Sequence, residues 1–206
     1  MVRILPLGDS ITVGALVGGF SPGGYRAPLE KLLDSASVEF AFLGSGNENL
    51  SEGQREIWHE GHSGWSVLPG RGYPGIMENL PGWAANYEFA PDIVLLHLGV
   101  NDIHWPTPGD EAFRRYESLL AALAQTWPSA KIVTSTLLGA EELDMQQQCD
   151  VFNELLLSRQ PALVVAPMHR VLRRPDHFWD SLHPNHAGHI AMAHCWFDTM
   201  RSSRLI

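Results

Sequence analysis

The 206 residues predict a three-layer α/β/α sandwich built on a five-stranded parallel sheet. Three observations carry this. Short apolar, β-branched runs alternate with longer stretches of helical period, and a strand, a crossover helix and a further strand make a parallel sheet covered on both faces. Ile93 to Leu98 is a continuous apolar run, the pattern of a strand buried on both sides. Turn-type residues gather where the first three runs stop: Gly8-Asp9-Ser10, Gly44-Ser45-Gly46 and Gly99-Val100-Asn101-Asp102. No repeat, linker or low-complexity tract divides the chain, which reads as one domain, 1–206.

Val2 to Leu7, broken by Pro6, is the first strand. Glycine lets the backbone turn sharply after it, and Asp9 and Ser10 suit the start of a helix or loop. A serine on such a turn, at the carboxyl end of a parallel strand, sits where open α/β sheets hold ligands. The plainer alternative is that Asp9 and Ser10 only cap a helix. The glycine-rich Gly14 to Gly24 has neither a Walker lysine nor G-x-G-x-x-G spacing, so no phosphate-bearing cofactor is expected. A helix over Tyr25–Ser35 buries Tyr25, Leu29, Leu32 and Leu33 at helical spacing. Val38–Leu43 is the second strand, and the polar Asn47–Trp58 an exposed loop. Gly75–Tyr87 is helical but broken or kinked at Pro81-Gly82. After the Ile93–Leu98 strand, Asp110–Trp127 carries Phe113, Tyr116, Leu119, Leu120 and Leu123 on one helical face. Lys131–Leu138 and Ala162–Pro167 are the last two strands, Glu141–Ser158 and Asn185–Met200 the last two helices.

Composition narrows the partners. Forty-five per cent hydrophobic and 18% charged residues describe an ordinary globular chain. A formal charge of -9 argues against nucleic acid and anionic membranes. No apolar run approaches the roughly 20 residues of a membrane span. The first strand starts beside Met1, leaving no secretion leader in view, which favours a cytoplasmic protein over a secreted mature form. Cys149 and Cys195 fall in predicted helices and read as buried free thiols.

Four stretches should converge on the carboxyl rim of the sheet: Gly8-Asp9-Ser10, Gly61-His62-Ser63-Gly64-Trp65-Ser66, Gly99-Val100-Asn101-Asp102 and Asp180-Ser181-Leu182-His183-Pro184. Together they hold the parts acyl transfer needs. Ser10 is the candidate nucleophile and His183 its general base. Asp180, three residues before His183, can reach the other ring nitrogen, hold the tautomer and support the imidazolium. The backbone N–H groups of Ser10 and Gly64 and the amide of Asn101 are candidate oxyanion donors.

These blocks, Leu7-Gly8-Asp9-Ser10-Ile11-Thr12, Gly64, Gly99-Val100-Asn101-Asp102 and Asp180-Ser181-Leu182-His183-Pro184, resemble in order and spacing the SGNH (GDSL-type) hydrolases. The resemblance implies a flavodoxin-like sandwich and ester hydrolysis through a covalent acyl-serine. It makes Ser10 the nucleophile, Gly64 and Asn101 oxyanion donors, Asp180 the orienting carboxylate and His183 the base. Gly24-Tyr25-Arg26 and His59-Glu60-Gly61-His62-Ser63-Gly64-Trp65 further resemble carbohydrate esterases of family 3, the acetyl xylan esterase type, which implies short acyl esters on carbohydrate.

Around this group several side chains carry two readings. His62 and Trp65, flanking Gly64, line an acyl or sugar pocket or prop the loop; Trp105 walls the pocket or packs. Arg26 pairs with a carboxylate near the site or snorkels from its helix, with a structural role favoured. Asp9 and Asp102 are read as structural, bonding backbone amides. Asp180, His183, His186 and His189 are spaced three apart, yet Pro184-Asn185 starts a helix after His183, so no metal site is expected and His186 and His189 read as solvated or capping. Two functions compete with hydrolysis: acyl transfer from the same acyl-serine, and a non-catalytic binding domain. The second predicts the loss of Ser10, Asn101, Asp180 or His183, and all four are present.

Overall fold

The computed structural model describes residues 1–16, 19–47, 56–104 and 107–206. In chain order the elements are β1 (Val2–Gly8), α1 (Ser10–Val13), the short antiparallel pair β2 (Ala15–Leu16) and β3 (Gly19–Phe20), α2 (Arg26–Ser35), β4 (Phe40–Phe42), β5 (Glu60–Gly61), α3 (Ile76–Asn86) and β6 (Ile93–His97). There follow α4 (Val100–His104), α5 (Gly109–Thr126), β7 (Lys131–Ser135), α6 (Leu143–Leu157), β8 (Val164–Ala166), α7 (Met168–Val171) and α8 (His186–Ser202). The main sheet is parallel throughout, in the order β4-β1-β6-β7-β8. The predicted five strands are all present, and β5 adds a sixth. β4 pairs with the first half of β1 (Val2 with Phe40, Ile4 with Phe42), and β5 continues along the second half (Leu7 with Glu60, Gly8 with Gly61). The chain thus leaves the sheet after Phe42 and rejoins it beside the carboxyl end of β1.

Burial explains why the sheet is parallel and double-sided. All five residues of β6 are buried, as are Ile4, Leu5 and Leu7 of β1. Helix α2 packs on α8 over one face; α5 packs on α6 and α3 over the other. Phe152 of α6 meets Phe113 and Tyr116 of α5 edge-on, with ring centroids 5.6 and 5.2 Å apart.

Several predicted boundaries move for identifiable reasons. Lys131–Leu138 reads as one strand because Thr136, Leu137 and Leu138 are buried too, but β7 stops at Ser135. Beyond it the Asn153 side chain takes the place of a neighbouring strand, accepting the Leu137 N–H at 2.7 Å and donating to the Leu137 carbonyl at 3.1 Å. Helix α3 is not broken at Pro81, which lies inside one continuous helix and is solvent-exposed. Residues 48–55 of the predicted 47–58 loop lie outside the described residues. At its end Ile57 is buried rather than exposed.

Candidate active site

β1 ends in a turn made by Gly8 and Asp9. A Cβ at Gly8 would stand 2.1 Å from the His97 carbonyl oxygen, so only glycine lets β1 lie against β6 here. Asp9 caps α1, its Oδ1 accepting the Ile11 N–H at 3.0 Å. The capped helix begins at Ser10, and the Ser10 hydroxyl lies 3.0 Å from Nε2 of His183.

His183 is held by the turn before α8. Its Nδ1 lies 2.9 Å from Oδ2 and 3.2 Å from Oδ1 of Asp180. Oδ1 also accepts the backbone N–H groups of Leu182 and His183, each at 2.7 Å. Burial works against the Asp180 charge, but these two N–H groups and the imidazole outweigh it and hold the carboxyl below its usual range. Arg174 braces the turn from behind: it donates to the carbonyls of Ser181 (2.7 Å), Asp180 (3.2 Å) and Gly139 (3.3 Å), and its guanidinium lies 3.8 Å from the Phe178 ring centroid.

The other two stretches reach Ser10 from the strands flanking β1. β5 pairs with Leu7–Gly8, and the His62 N–H donates to the Gly8 carbonyl at 2.9 Å, which brings the 62–65 turn beside Ser10. Gly64 in that turn has φ +80°, the left-handed region. On the opposite side β6 runs through Gly99 into α4 and delivers Asn101, whose Nδ2 donates to the Trp65 carbonyl at 2.8 Å. Asp102 follows, and its Oδ2 accepts the Val67 N–H at 3.1 Å. Asp9 and Asp102 therefore bond backbone amides, as expected. Burial pushes the Asp102 carboxyl up to about 6 and that of Asp9 up to about 7, where Asp102 adds a smaller like-charge effect.

Of the side residues, His62 and Trp65 are half-buried and engaged with the protein. His62 stacks on Trp65 (centroids 4.1 Å apart) and on Trp83 of α3 (5.1 Å), and its Nε2 meets Glu60 at 2.7 Å. Trp105 lies outside the described residues. Arg26 does not snorkel: it is fully buried and donates to the carbonyls of Thr12, Val13 and Ile57, two of which end α1. His189 is not solvated either; it is buried, and burial lowers its imidazole to about 3. Cys149 and Cys195 are buried and unbridged. Among the described residues no group of three or more His, Cys, Asp and Glu side chains is arranged to hold a metal ion.

Sequence reasoning missed three contributors. Glu60 is fully buried and accepts from the Ser45 N–H, the Ser45 hydroxyl, His62 and Tyr87. Bonds from His62, Ser45 and Tyr87 overcome burial and keep its carboxyl low. Its signal was the i, i+2 spacing to His62, which puts both on one side of an extended segment. Trp83 and Arg174 had no comparable signal.

Serine, histidine and aspartate joined at the carboxyl rim of a parallel sandwich form the constellation of α/β/α ester hydrolases. The GDSL-like Lipase/Acylhydrolase family matches residues 7–191, and the chain belongs to that family. A multidomain esterase of Ruminococcus flavefaciens is 29% identical over 221 residues; they cover 96% of this chain and 28% of that protein's length. An acetyl esterase mutant, solved with an acetate ion, is 25% identical with a TM-score of 0.73, over 98% of this chain and 97% of its own. A family 3 carbohydrate esterase of Clostridium thermocellum is 24% identical with a TM-score of 0.79, over 98% of this chain and 96% of its own.

Proposed function

We propose that this chain is a serine esterase that hydrolyses short-chain acyl esters, acetyl first among them, on carbohydrate alcohols through an acyl-serine intermediate. The observation that carries the reading is the continuous bonded series Ser10 Oγ, His183 Nε2, His183 Nδ1 and Asp180 Oδ2, with steps of 3.0 and 2.9 Å. Ser10 attacks the ester carbonyl while His183 takes its proton. Asp180 keeps the imidazole proton on Nδ1, so that Nε2 is free to accept. The oxyanion forms between the N–H groups of Ser10 and Gly64 and the Asn101 amide. His183 then protonates the departing alcohol, and water repeats the sequence in reverse to release the acid.

The acetyl assignment draws on the likeness to an acetyl esterase. The carbohydrate assignment draws on the sequence resemblance to family 3 carbohydrate esterases and on the aromatic group Trp65, His62 and Trp83 beside Gly64, since flat rings suit sugar faces. The test is a panel of nitrophenyl esters from acetyl to octanoyl beside acetylated xylan, for the chain and for Ser10→Ala. Acetate release from both substrate types that disappears in Ser10→Ala is expected. Turnover that survives in Ser10→Ala overturns the nucleophile, and activity on nitrophenyl acetate without activity on acetylated xylan overturns that alcohol.

A further inference from the structure

Residues 66–75 form a loop closed at its base and folded back on the site. The Ile76 N–H donates to the Ser66 carbonyl at 3.0 Å and the Met77 N–H to the Val67 carbonyl at 3.1 Å. The Ser66 hydroxyl is bonded inside the loop, to the Leu68 carbonyl, and the Val67 N–H to Asp102 beside Asn101. At the tip, Gly70 and Tyr73 exchange both backbone hydrogen bonds, at 3.1 and 2.9 Å. Between them Arg71 (φ +49°) and Gly72 (φ +83°) both have positive φ, the signature of a type I′ hairpin turn. An arginine held in the left-handed region marks a fixed turn, not a slack one.

This turn lays the Tyr73 ring on Gly64. A Cβ at Gly64 would stand 2.9 Å from Cε1 of Tyr73 and 3.1 Å from Cδ1 and Cζ. The ring therefore occupies the space a side chain at 64 would take, while 47% of the residue faces solvent. The partly exposed ring is an aromatic wall on the glycine whose N–H is assigned to the oxyanion.

Which part of the substrate meets that wall follows from the proton path. His183 must reach the leaving oxygen to protonate it, so the alcohol lies on the His183 side of Ser10. In the proposed mechanism the oxyanion points to the Gly64 N–H, away from the departing alcohol, so a ring on Gly64 borders the remaining substituent of the carbonyl carbon, the acyl group. We propose that Tyr73 sets the acyl-chain length, its ring admitting an acetyl group against Gly64 and excluding longer chains. This rests on the esterase reading of the site and adds the residue that decides its acyl specificity.

The test compares kcat/KM for nitrophenyl acetate and butanoate in the full chain and in Tyr73→Ala, Tyr73→Phe and Tyr73→Trp, with melting curves for each. Excluding a methylene from an apolar contact discriminates by about 10–200-fold, so Tyr73→Ala should raise the butanoate-to-acetate ratio by about tenfold or more. Tyr73→Phe keeps the ring and should keep the wild-type ratio; Tyr73→Trp should lower it. A second measurement needs no turnover. Nitrophenyl alkylphosphonates react as the Ser10 Oγ–P bond forms, nitrophenolate leaves and the serine proton passes to His183, and intact mass reports the adduct. The methyl reagent should label every version, the hexyl reagent only Tyr73→Ala. Should wild type turn over acetate while the ratio in folded Tyr73→Ala stays within about threefold of it, the Tyr73 assignment falls and the esterase reading stands. A Tyr73→Phe shift as large as that of Tyr73→Ala also overturns it, because the hydroxyl and not the ring would then decide. If wild type hydrolyses no ester and neither reagent labels it, both readings fall together.

Discussion

Truncating Asn101 separates chemistry from architecture. Its Nδ2 carries two hydrogens, and the 2.8 Å bond to the Trp65 carbonyl uses one and fixes the amide plane. The second is the one we propose for the oxyanion. Asn101→Ala removes both. On the chemical side, losing one preorganised donor lowers kcat by about 10²–10³, equivalent to about 2.7–4 kcal/mol of transition-state stabilisation. On the structural side, the Trp65 carbonyl loses its partner, at a cost of about 1–3 kcal/mol if water does not replace it. For a chain of this length each kcal/mol moves Tm by about 2–4 °C. The assay is kcat and KM on nitrophenyl acetate well below the transition, with melting curves on the same preparations. A fall in kcat of that size with little change in KM is expected, because the donor acts on charge that develops only in the transition state. A lowered Tm with kcat within about threefold of wild type would mean that Asn101 only pins Trp65, and a change confined to KM would mean that it binds ground-state ester. Either result refutes the reasoning.

Ser10→Ala should reduce turnover to background while losing only the hydroxyl–imidazole bond, about 1 kcal/mol, so Tm should move by a few degrees at most. His183→Ala should match that loss of activity. Asp180→Asn should cost about 10²–10⁴, because its oxygen can keep the two backbone N–H bonds while its amide faces Nδ1 and drives the ring proton to Nε2. The double mutant should be hardly worse than His183→Ala, whereas losses that multiply would break the assignment of the two residues to one unit. Asp9→Asn is a test by pH. Burial raises Asp9 to about 7, while an unfolded carboxyl titrates near ~3.9, so the folded chain keeps a proton that the unfolded chain releases and stability falls as pH rises from about 4 to about 7. The asparagine cap has no such proton, so the Tm of Asp9→Asn relative to wild type should climb between pH 5 and pH 8; parallel Tm–pH curves would exclude a protonated Asp9.

What could be read in the sequence was local. Ile93–His97 and Ile4–Leu7 announce their burial through residue type alone, and the four blocks that meet at the rim each lie within a few residues of a strand end or helix start. Parallel register brings those ends together without further instruction, which is why Ser10 and His183, 173 residues apart, could be paired from the pattern. Errors arose where burial and pairing part company. Leu137 is as apolar as a strand residue but is served by the Asn153 side chain, and no period in the sequence marks that substitution. Arg26 reads as structural, but sequence does not show that the end of α1 and the Ile57 carbonyl close around it.

The supporting parts were hidden because each depends on a contact far along the chain or on backbone geometry that its residues do not advertise. Arg174 acts by reaching the carbonyls of Gly139, Asp180 and Ser181, a role set by where α6 and the 180–183 turn happen to lie. Tyr73 acts through a type I′ turn, yet its central pair is Arg71-Gly72 and lacks the Asn or Asp that would signal such a turn. Strain of this kind persists only where surrounding bonds overdetermine it, and here the Ser66–Ile76 and Val67–Met77 bonds close the loop below the turn. The groups we propose to react are therefore written in the sequence as residue types at strand ends, whereas what we propose to limit their substrate is written in the loop that closes over Gly64. Two chains with the same four blocks can differ in acyl preference through residues 66–75 alone, and the Tyr73 substitutions measure that difference on one scaffold.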